Sequence, residues 1–325
     1  MQKNLGQKII EKKLGRRLIM TLLVKNEDDI VDETIKFHLN SGVDFIIATN
    51  NNSTDKTRDI LLKYQERGVL ELIDEAGENF DQVKWVDRMI RIAIDKYKAD
   101  WIINVDADEF WYSRYGNLKL AMPEPKDFSV VYISCLQIMH SNENDEGQFK
   151  IPLNVKGHCM HNWKCFHTAK GYELIAGGNH HVKMKKGFEK RYLTSDVFVF
   201  HFWVRSYEQY ERKVINTFEA IEKGVRDGVH TVDFGSHIRA HYKLYQEGKL
   251  REIYDSMLVG SNKDVIDNRL HDFIKNGYKN IDYILASEHH IFNNEIQHEN
   301  KKNKYEKFII SCKKRVSGIK KLLGK

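Results

Sequence analysis

The sequence predicts an α/β fold: a mixed, largely parallel sheet of the Rossmann-like kind, followed by a helical C-terminal extension. Three observations carry this. Four short apolar runs between Leu18 and Val105 alternate with three amphipathic helical segments. Two of the runs end in polar clusters, Lys25-Asn26-Glu27 and Asp106-Ala107-Asp108-Glu109, where a parallel sheet presents its carboxyl ends to a ligand. From Ser206 onward the periodicity turns helical, beginning with SYEQYERKVINTFEAIEKG.

Leu18–Val24 (LIMTLLV) is a short apolar run ended by Lys25-Asn26-Glu27, which reads as a buried parallel strand. Residues 29–41 place Ile30, Thr34, Phe37 and His38 on one helical face, with Gly42 as the stop. A strand follows at residues 44–49 and a helix at 54–68, carrying Ile60, Leu61 and Tyr64 and closed by Gly68. Residues 69–74 form a third strand. The helix at 81–98 spaces Val83, Val86, Met89, Ile90 and Ala93 on one face and leads into a strand at 101–105. Strands are also expected at 128–139 and 196–202, with a Gly-rich stretch at 171–181 between them and a further helix near 236–248. The domains expected are a catalytic one, residues 1–205, and a helical extension, residues 206–325.

The 325 residues are 41% hydrophobic and 30% charged, the balance of a globular chain with a real core, and three prolines exclude Pro-rich linkers. No run of 18 apolar residues exists, and the charged N-terminus lacks the apolar centre of a signal peptide. Four scattered cysteines make no disulfide framework. These features predict a cytoplasmic protein, peripheral on the inner face of the plasma membrane. The net charge of +6 is concentrated in residues 301–325, where ten Lys or Arg meet one Glu. Phe308, Ile309, Ile310, Val316, Ile319, Leu322 and Leu323 interleave with them, a pattern that suits a basic amphipathic helix on an anionic membrane and equally a solvated helix packed on the domain.

Asp106 and Asp108 stand at i and i+2 past a buried strand, so both can project to one side. Carboxylates this close repel unless a cation or solvent screens them. A hard divalent cation takes oxygen ligands, and Mg²⁺-type sites are often completed by substrate phosphates. An Asp-x-Asp at a strand end can therefore bridge a diphosphate and a metal, although any solvated loop can hold two aspartates.

Four stretches in order resemble the family-2-like glycosyltransferases of the GT-A fold: residues 21–27 (TLLVKNE), 50–57 (NNNSTDKT), 101–110 (WIINVDADEF) and 201–210 (HFWVRSYEQY). The resemblance implies a nucleotide-sugar donor, UDP-sugar by default, Mn²⁺ or Mg²⁺, and a glycan or lipid-linked saccharide acceptor in surface polysaccharide synthesis. By resemblance Lys25, Asn26 and Glu27 lie near the base and ribose. Asn50 replaces the aspartate that commonly contacts the base, which adds a donor and removes a charge. Asn51 lies beside it, and Ser53 and Asp55 serve the loop itself and the cap of the next helix. Gln82 and Arg88 can reach the donor. Asp106 partners the ribose or a metal-bound water, Asp108 ligates the metal directly, and His201 completes the metal site. Glu109 orients the loop, while Trp163 and Lys164 line the pocket. Inversion at the anomeric carbon requires a base, expected in the acidic loop SNENDEG at Asp145 or Glu146, with Glu143 beside them.

Other readings compete. The segment from His158 to His167 (HCMHNWKCFH) is dense in His and Cys, yet its spacing fits no common zinc arrangement, and alternation between strand faces explains it. His180-His181 reads as a turn before a strand, or as a contact to acceptor or donor phosphate. A nucleotidyltransferase would share the sheet and the aspartates but needs a Gly-rich basic loop for a triphosphate, which the first strand exit lacks. Nucleic acid is not an expected partner, because the basic excess sits at one end instead of along an aromatic surface.

Overall fold

The computed structural model describes residues 5–139, 155–158, 163–258 and 265–267. The chain divides into two units, of which residues 16–279 form the one that carries the sheet. Helix α1 (Leu5–Leu14), which the sequence reading did not anticipate, belongs to the other.

Strand β1 (Leu18–Val24) is central to the parallel part of the sheet. It pairs with β2 (Phe45–Asn51) on one side and β4 (Trp101–Asp106) on the other, and β3 (Leu70–Glu75) lies beyond β2. Helices α2 (Val31–Asn40), α3 (Thr57–Glu66) and α4 (Gln82–Asp95) make the crossovers. All of these elements lie within three residues of their expected bounds. Gly42 and Gly68 follow α2 and α3 with φ of +95° and +74°, a left-handed backbone in which glycine ends a helix without strain. Asp81 accepts from the Lys84 backbone N–H at 3.4 Å and starts α4, whose Trp85, Val86, Met89, Ile90 and Ala93 are buried.

Beyond β4 the sheet becomes mixed. The chain turns at Ala107-Asp108 into β5 (Glu109–Ser113), a strand not expected from the sequence, and a short helix α5 (Leu118–Ala121) follows. Then come β6 (Val130–Met139), β7 (Val155–His158), β8 (Trp163–Thr168), the hairpin of β9 (Tyr172–Ile175) with β10 (Val182–Met184), and the long β11 (Arg191–Val204). β8 inserts antiparallel between β4 and β6, while β11 runs parallel to β6 and antiparallel to β5. The helices α6 (Tyr207–Arg226), α7 (Ser236–Gln246) and α8 (Leu250–Leu258) follow, and β12 (Val265–Asp267) pairs with β7. The sheet order among the described residues is β12-β7-β6-β8-β4-β1-β2-β3, with β11 and β5 attached through β6. This is the mixed, largely parallel α/β arrangement expected. No helix among the described residues is long and apolar enough to cross a membrane. The basic segment 301–325 lies outside them.

One core packs α4 and the β9–β10 hairpin on the sheet through Ile19, Ile47, Val86, Met89, Ile90, Ile102, Cys165 and Tyr172. Ile30, Phe37, Phe110, Tyr112, Leu136, Phe200 and Phe202 form another. A third joins the helices, with Tyr210, Val214, Leu250 and Tyr254 under Val204. Cys165 and His167 are wholly buried, and β8 alternates as expected: Lys164 meets Asp106 while Cys165 packs in the α4 core.

A line of buried polar groups crosses this interior. Thr21 donates to Asn104 Oδ1 at 2.7 Å, the Asn104 amide donates to His167 Nε2 at 3.3 Å, and His167 Nδ1 donates to the Thr168 carbonyl at 3.1 Å. His38 likewise donates from Nδ1 to the Thr34 carbonyl at 2.7 Å and accepts the Trp111 N–H at Nε2, 3.3 Å away. Burial pushes both imidazoles down to about 4 from 6.5, so both are neutral in the fold.

A histidine that protonates more readily unfolded than folded leaves stability intact above pH 6.5. Stability is lost as the pH falls through the window from 6.5 to about 4, at about 1.4 kcal/mol per unit and site. Urea titrations across that window should show the falling midpoint, and His38→Gln should flatten the fall. A midpoint that stays level on acidification would show that neither histidine is held neutral.

Candidate functional site

The register of the parallel strands sets the site. Val24 pairs with Asn50, Asn50 with Asp74, and Leu23 with Asp106, so the polar exits of β1, β2, β3 and β4 stand in one row. Two exits are stapled together. Ser53 accepts from the Asn26 N–H at 3.0 Å, Asn26 Oδ1 accepts from the Thr54 N–H at 2.7 Å, and Thr57 accepts from the Glu27 N–H at 2.9 Å. Asp55 accepts from the Asp28 and Thr57 backbone at 3.2 and 2.9 Å. Ser53 and Asp55 thus hold backbone, and Asn26 can sit at φ 55° because the loop fixes it there. Lys25 is half-buried at the end of β1.

On the other side of β4 the Asp106–Glu109 turn is wired into the fold. Thr34 donates to the Ala107 carbonyl, and the Phe202 N–H to the Asp108 carbonyl at 2.8 Å. Glu109 is fully buried. Its Oε2 accepts from Trp111 Nε1 at 3.2 Å and the Asp106 N–H at 3.4 Å, and its Oε1 lies 2.7 Å from Lys164 Nζ. The Lys164 ammonium also meets Asp106 at 2.9 Å and the Gly178 carbonyl at 3.0 Å. Burial raises the Glu109 carboxyl above its ordinary value against the pull of Lys164. Burial lowers the Lys164 ammonium, but Asp106 and Glu109 outweigh it and leave it raised.

Asp108 begins a second charge cluster. Its Oδ1 lies 3.2 Å from His201 Nε2, and its Oδ2 meets Lys213 and stands 3.8 Å from Arg205 Nη1. Arg205 also pairs with Glu27 and, from Nε at 2.7 Å and Nη2 at 3.0 Å, with Asp29. Burial works to raise the Asp108 carboxyl, yet Lys213, His201 and Arg205 hold it well below the usual carboxylate range. Burial raises Glu27 in spite of Arg205 and Lys213. The cations are placed by local folding. Ser206 accepts from the Gln209 N–H at 3.1 Å while Gln209 Oε1 accepts from the Arg205 N–H at 3.0 Å, a reciprocal cap that starts α6 and carries Lys213 into the cluster.

Among the described residues no group of three or more His, Cys, Asp or Glu could hold a metal ion. Asp108 Oδ1 and His201 Nε2, however, stand at the separation that two neighbouring ligands of one divalent ion at about 2.1 Å would have. The His201 ring is steered from behind by the Gln137 amide, 2.9 Å from Nδ1, which can present either its oxygen or its nitrogen. The residues fit an ion held by two protein atoms and completed by phosphate and water. Among the described residues the lysines and arginines paired with Glu27, Asp29, Asp106, Asp108 and Glu109 are Lys164, Arg205 and Lys213, and five carboxylates against three such cations leave two negative charges, the charge of one divalent ion.

The row of strand ends continues toward β3. Asn50 donates to Asp74 Oδ1 at 3.0 Å and accepts from the Ser53 N–H at 3.3 Å, while Arg58 grips Asp74 at 2.8 to 3.1 Å. Asn51 donates to the carbonyls of Glu75, at 3.3 Å, and Gly77. Arg88 Nη1 pairs with Glu75 at 2.9 Å, but its Nε and Nη2 are buried without a hydrogen-bond partner. Gln82 Oε1 accepts from the Gly178 N–H at 2.9 Å.

The structure therefore gathers Asp106, Glu109 and Lys164 in one cluster and Glu27, Asp108 and His201 in another, with Asn50, Asn51 and Arg88 along the row. Asp145, Glu146 and Glu143 lie outside the described residues, as do Cys159 and His161. Sequence reasoning missed Asp74, Asn179, Arg205 and Lys213. Arg205 and Lys213 carried one signal, two cations flanking a Ser-x-x-Gln cap.

No curated protein matches the chain. Among solved structures it resembles S. aureus TarS residues 1–349 in complex with UDP, at 11% identity and TM-score 0.36, over 67% of this chain and 73% of that one. The same fragment in complex with UDP-GlcNAc matches at 11% identity and TM-score 0.36, over 62% and 66%. Against the longer TarS chain the match spans 39% of that protein. Glucosyl-3-phosphoglycerate synthase from Mycobacterium tuberculosis, in complex with Mn²⁺, UDP and glucosyl-3-phosphoglycerate, matches at 13% identity and TM-score 0.27, over 42% and 50%. The family model for glycosyltransferase family 92 matches residues 21–263, most of the chain. The resemblance drawn from the motifs thus stands at the level of enzyme class, and the chain is a glycosyltransferase that belongs to family 92.

Proposed function

We propose that the protein transfers a sugar from a UDP-sugar to a hydroxyl of a glycan or lipid-linked saccharide, with inversion and with Mn²⁺ or Mg²⁺, in surface polysaccharide synthesis. The observation that carries this is the meeting of Asp108 Oδ1 and His201 Nε2 at the end of β4, inside a cluster two positive charges short of neutral. When bound there, the ion would supply Lewis-acid stabilisation of charge on the diphosphate.

The chain's own groups do the rest. Lys213, on the other oxygen of Asp108, is placed to follow negative charge onto the departing diphosphate. Arg205 holds Glu27 and Asp29, which keeps Lys213 from being drawn away from Asp108. A uracil ring offers one N–H between two carbonyls. Asp74 and Asn50 supply acceptors for the N–H of such an imide. Asp74 restores beside Asn50 the negative charge that the amide lacks. Lys25 and Asn26 flank the ribose, and Asp106, held by Lys164 and Asn179, faces it. In this reading residues 1–205 bind the donor, the extension 206–325 supplies Lys213, and the basic segment 301–325 meets an anionic membrane.

Thermal unfolding with UDP, GDP, CDP and ADP, each with and without Mn²⁺, tests the donor and the metal together. UDP at a hundred times its dissociation constant should stabilise by about 2.7 kcal/mol. The shift should need Mn²⁺ and vanish in Asp108→Ala and His201→Ala. Stabilisation by UDP that ignores both metal and Asp108 would overturn the metal site, and stabilisation by another nucleotide alone would overturn the donor. Lys213→Met should lower UDP release from the donor by about 10² to 10³-fold while leaving the UDP shift largely in place. An equal loss in both would make Lys213 a binding group only.

A further inference from the structure

The turn between β9 and β10 is fastened to the donor side of the site at several points. The Gly178 N–H donates to Gln82 at 2.9 Å and its carbonyl accepts from Lys164 at 3.0 Å. Asn179 donates to Asp106 Oδ1 at 3.2 Å, and the Ala176 N–H to the His181 carbonyl at 2.9 Å. Gly178 and Asn179 both hold left-handed backbone, φ 70° and 58°, a cost of about 1 to 2 kcal/mol at the asparagine that these contacts must offset.

What this turn presents is His180. Its Nδ1 donates to the Trp163 carbonyl at 2.8 Å, which fixes the tautomer and leaves Nε2 with a lone pair. The ring lies against Gly178, where a Cβ would come within 2.7 Å of Nε2, so the position needs glycine twice over. The residue reaches solvent although its ring is partly desolvated by its neighbours, and Nε2 has no hydrogen-bond partner among the described residues. The carboxylates of the clusters differ in this respect: Glu27, Asp29, Asp106, Asp108 and Glu109 are each already engaged by a lysine or arginine.

We propose that His180 Nε2 accepts the proton of the acceptor hydroxyl during transfer. The acceptor O–H bond breaks toward Nε2 as its oxygen bonds to the anomeric carbon. The bond from that carbon to the diphosphate breaks, and its electron pair leaves on the nucleoside diphosphate. The imidazolium then returns its proton to solvent. The charged and titratable groups acting on the ring are Lys164 from β8, Asp106 from β4 and His201 from β11. Burial first, and Lys164 next, hold the ring below its ordinary value and therefore neutral near pH 7, while Asp106 favours the imidazolium that forms. The assignment rests on the UDP-sugar reading and replaces the carboxylate base expected in the SNENDEG loop.

The test compares the whole protein with His180→Ala and His180→Gln, using UDP-glucose, UDP-galactose and UDP-N-acetylglucosamine as probes and water or azide as acceptor. Azide carries no proton to remove. Both variants should keep the UDP-induced thermal shift, which certifies their fold, and lose about 10² to 10⁴-fold in UDP release to water. Azide should restore release in His180→Ala and yield a glycosyl azide. Unchanged hydrolysis in the variants, a loss that azide does not restore, or an azide-restored loss in Asp145→Asn instead would overturn the assignment alone. A wild type that neither binds UDP nor releases it from any probe would overturn the donor reading and this proposal with it.

Discussion

The fold is organised around a cost: carboxylates at the end of β4 are buried, and buried charge must be paired. Asp108 is 2% exposed and Glu109 not at all. Removing one partner from such a pair typically costs about 3 to 5 kcal/mol, because the other is left charged in a poor solvent. Cations therefore have to arrive from distant parts of the chain. Lys164 comes from β8, which explains why an antiparallel strand inserts beside β4, and Arg205 and Lys213 come from the end of β11 and from α6. The helical part of the chain is thus tied to the sheet by charge as well as by Tyr210 and Val214 beneath Val204.

Most of the parallel sheet was legible because its signals are local. LIMTLLV has no polar residue facing either side but Thr21, and Thr21 is satisfied by Asn104 one strand away. β5 was hidden for the opposite reason. The turn Ala107-Asp108 contains no glycine or proline, so FWYS reads as a continuation of the motif when it is a new strand that pairs with β11. The β9–β10 hairpin was hidden by its own turn, whose glycines read as a loop although they position Asn179 and His180.

The site divides along the same line. Asp106, Asp108 and His201 could be read from motifs, since strand ends declare themselves. Arg205 and Lys213 were signalled only by the cap they flank, because a cation near the start of a helix looks like solvated surface until its partners, Glu27 and Asp108, are brought to it from far back in the sequence. Asp74 was missed because Arg58 and Asn50 define it only across two strands. Ser53 and Asp55 show the converse. Their residue types suit ligand contact, yet their hydrogen bonds go to the backbone of the neighbouring loop.

The proposed function would bring two ways of neutralising a carboxylate together on Asp108. An ammonium is a fixed part of the chain and is present whether or not donor is bound. The metal ion of the proposed function would arrive with the diphosphate and leave with it. Placing Lys213 on one oxygen and His201 on the other lets the resting site stay folded with most of its charge balanced, while a deficit of two positive charges remains for the divalent ion of the proposed function to fill. Full neutralisation by lysines would stabilise the empty site and abolish its attraction for a divalent ion. Lysines absent altogether would leave five carboxylates in mutual repulsion at the end of one strand and its neighbours. The observed balance lies between these limits, which ties the affinity of the site for its ligand to the stability of the turn that carries it.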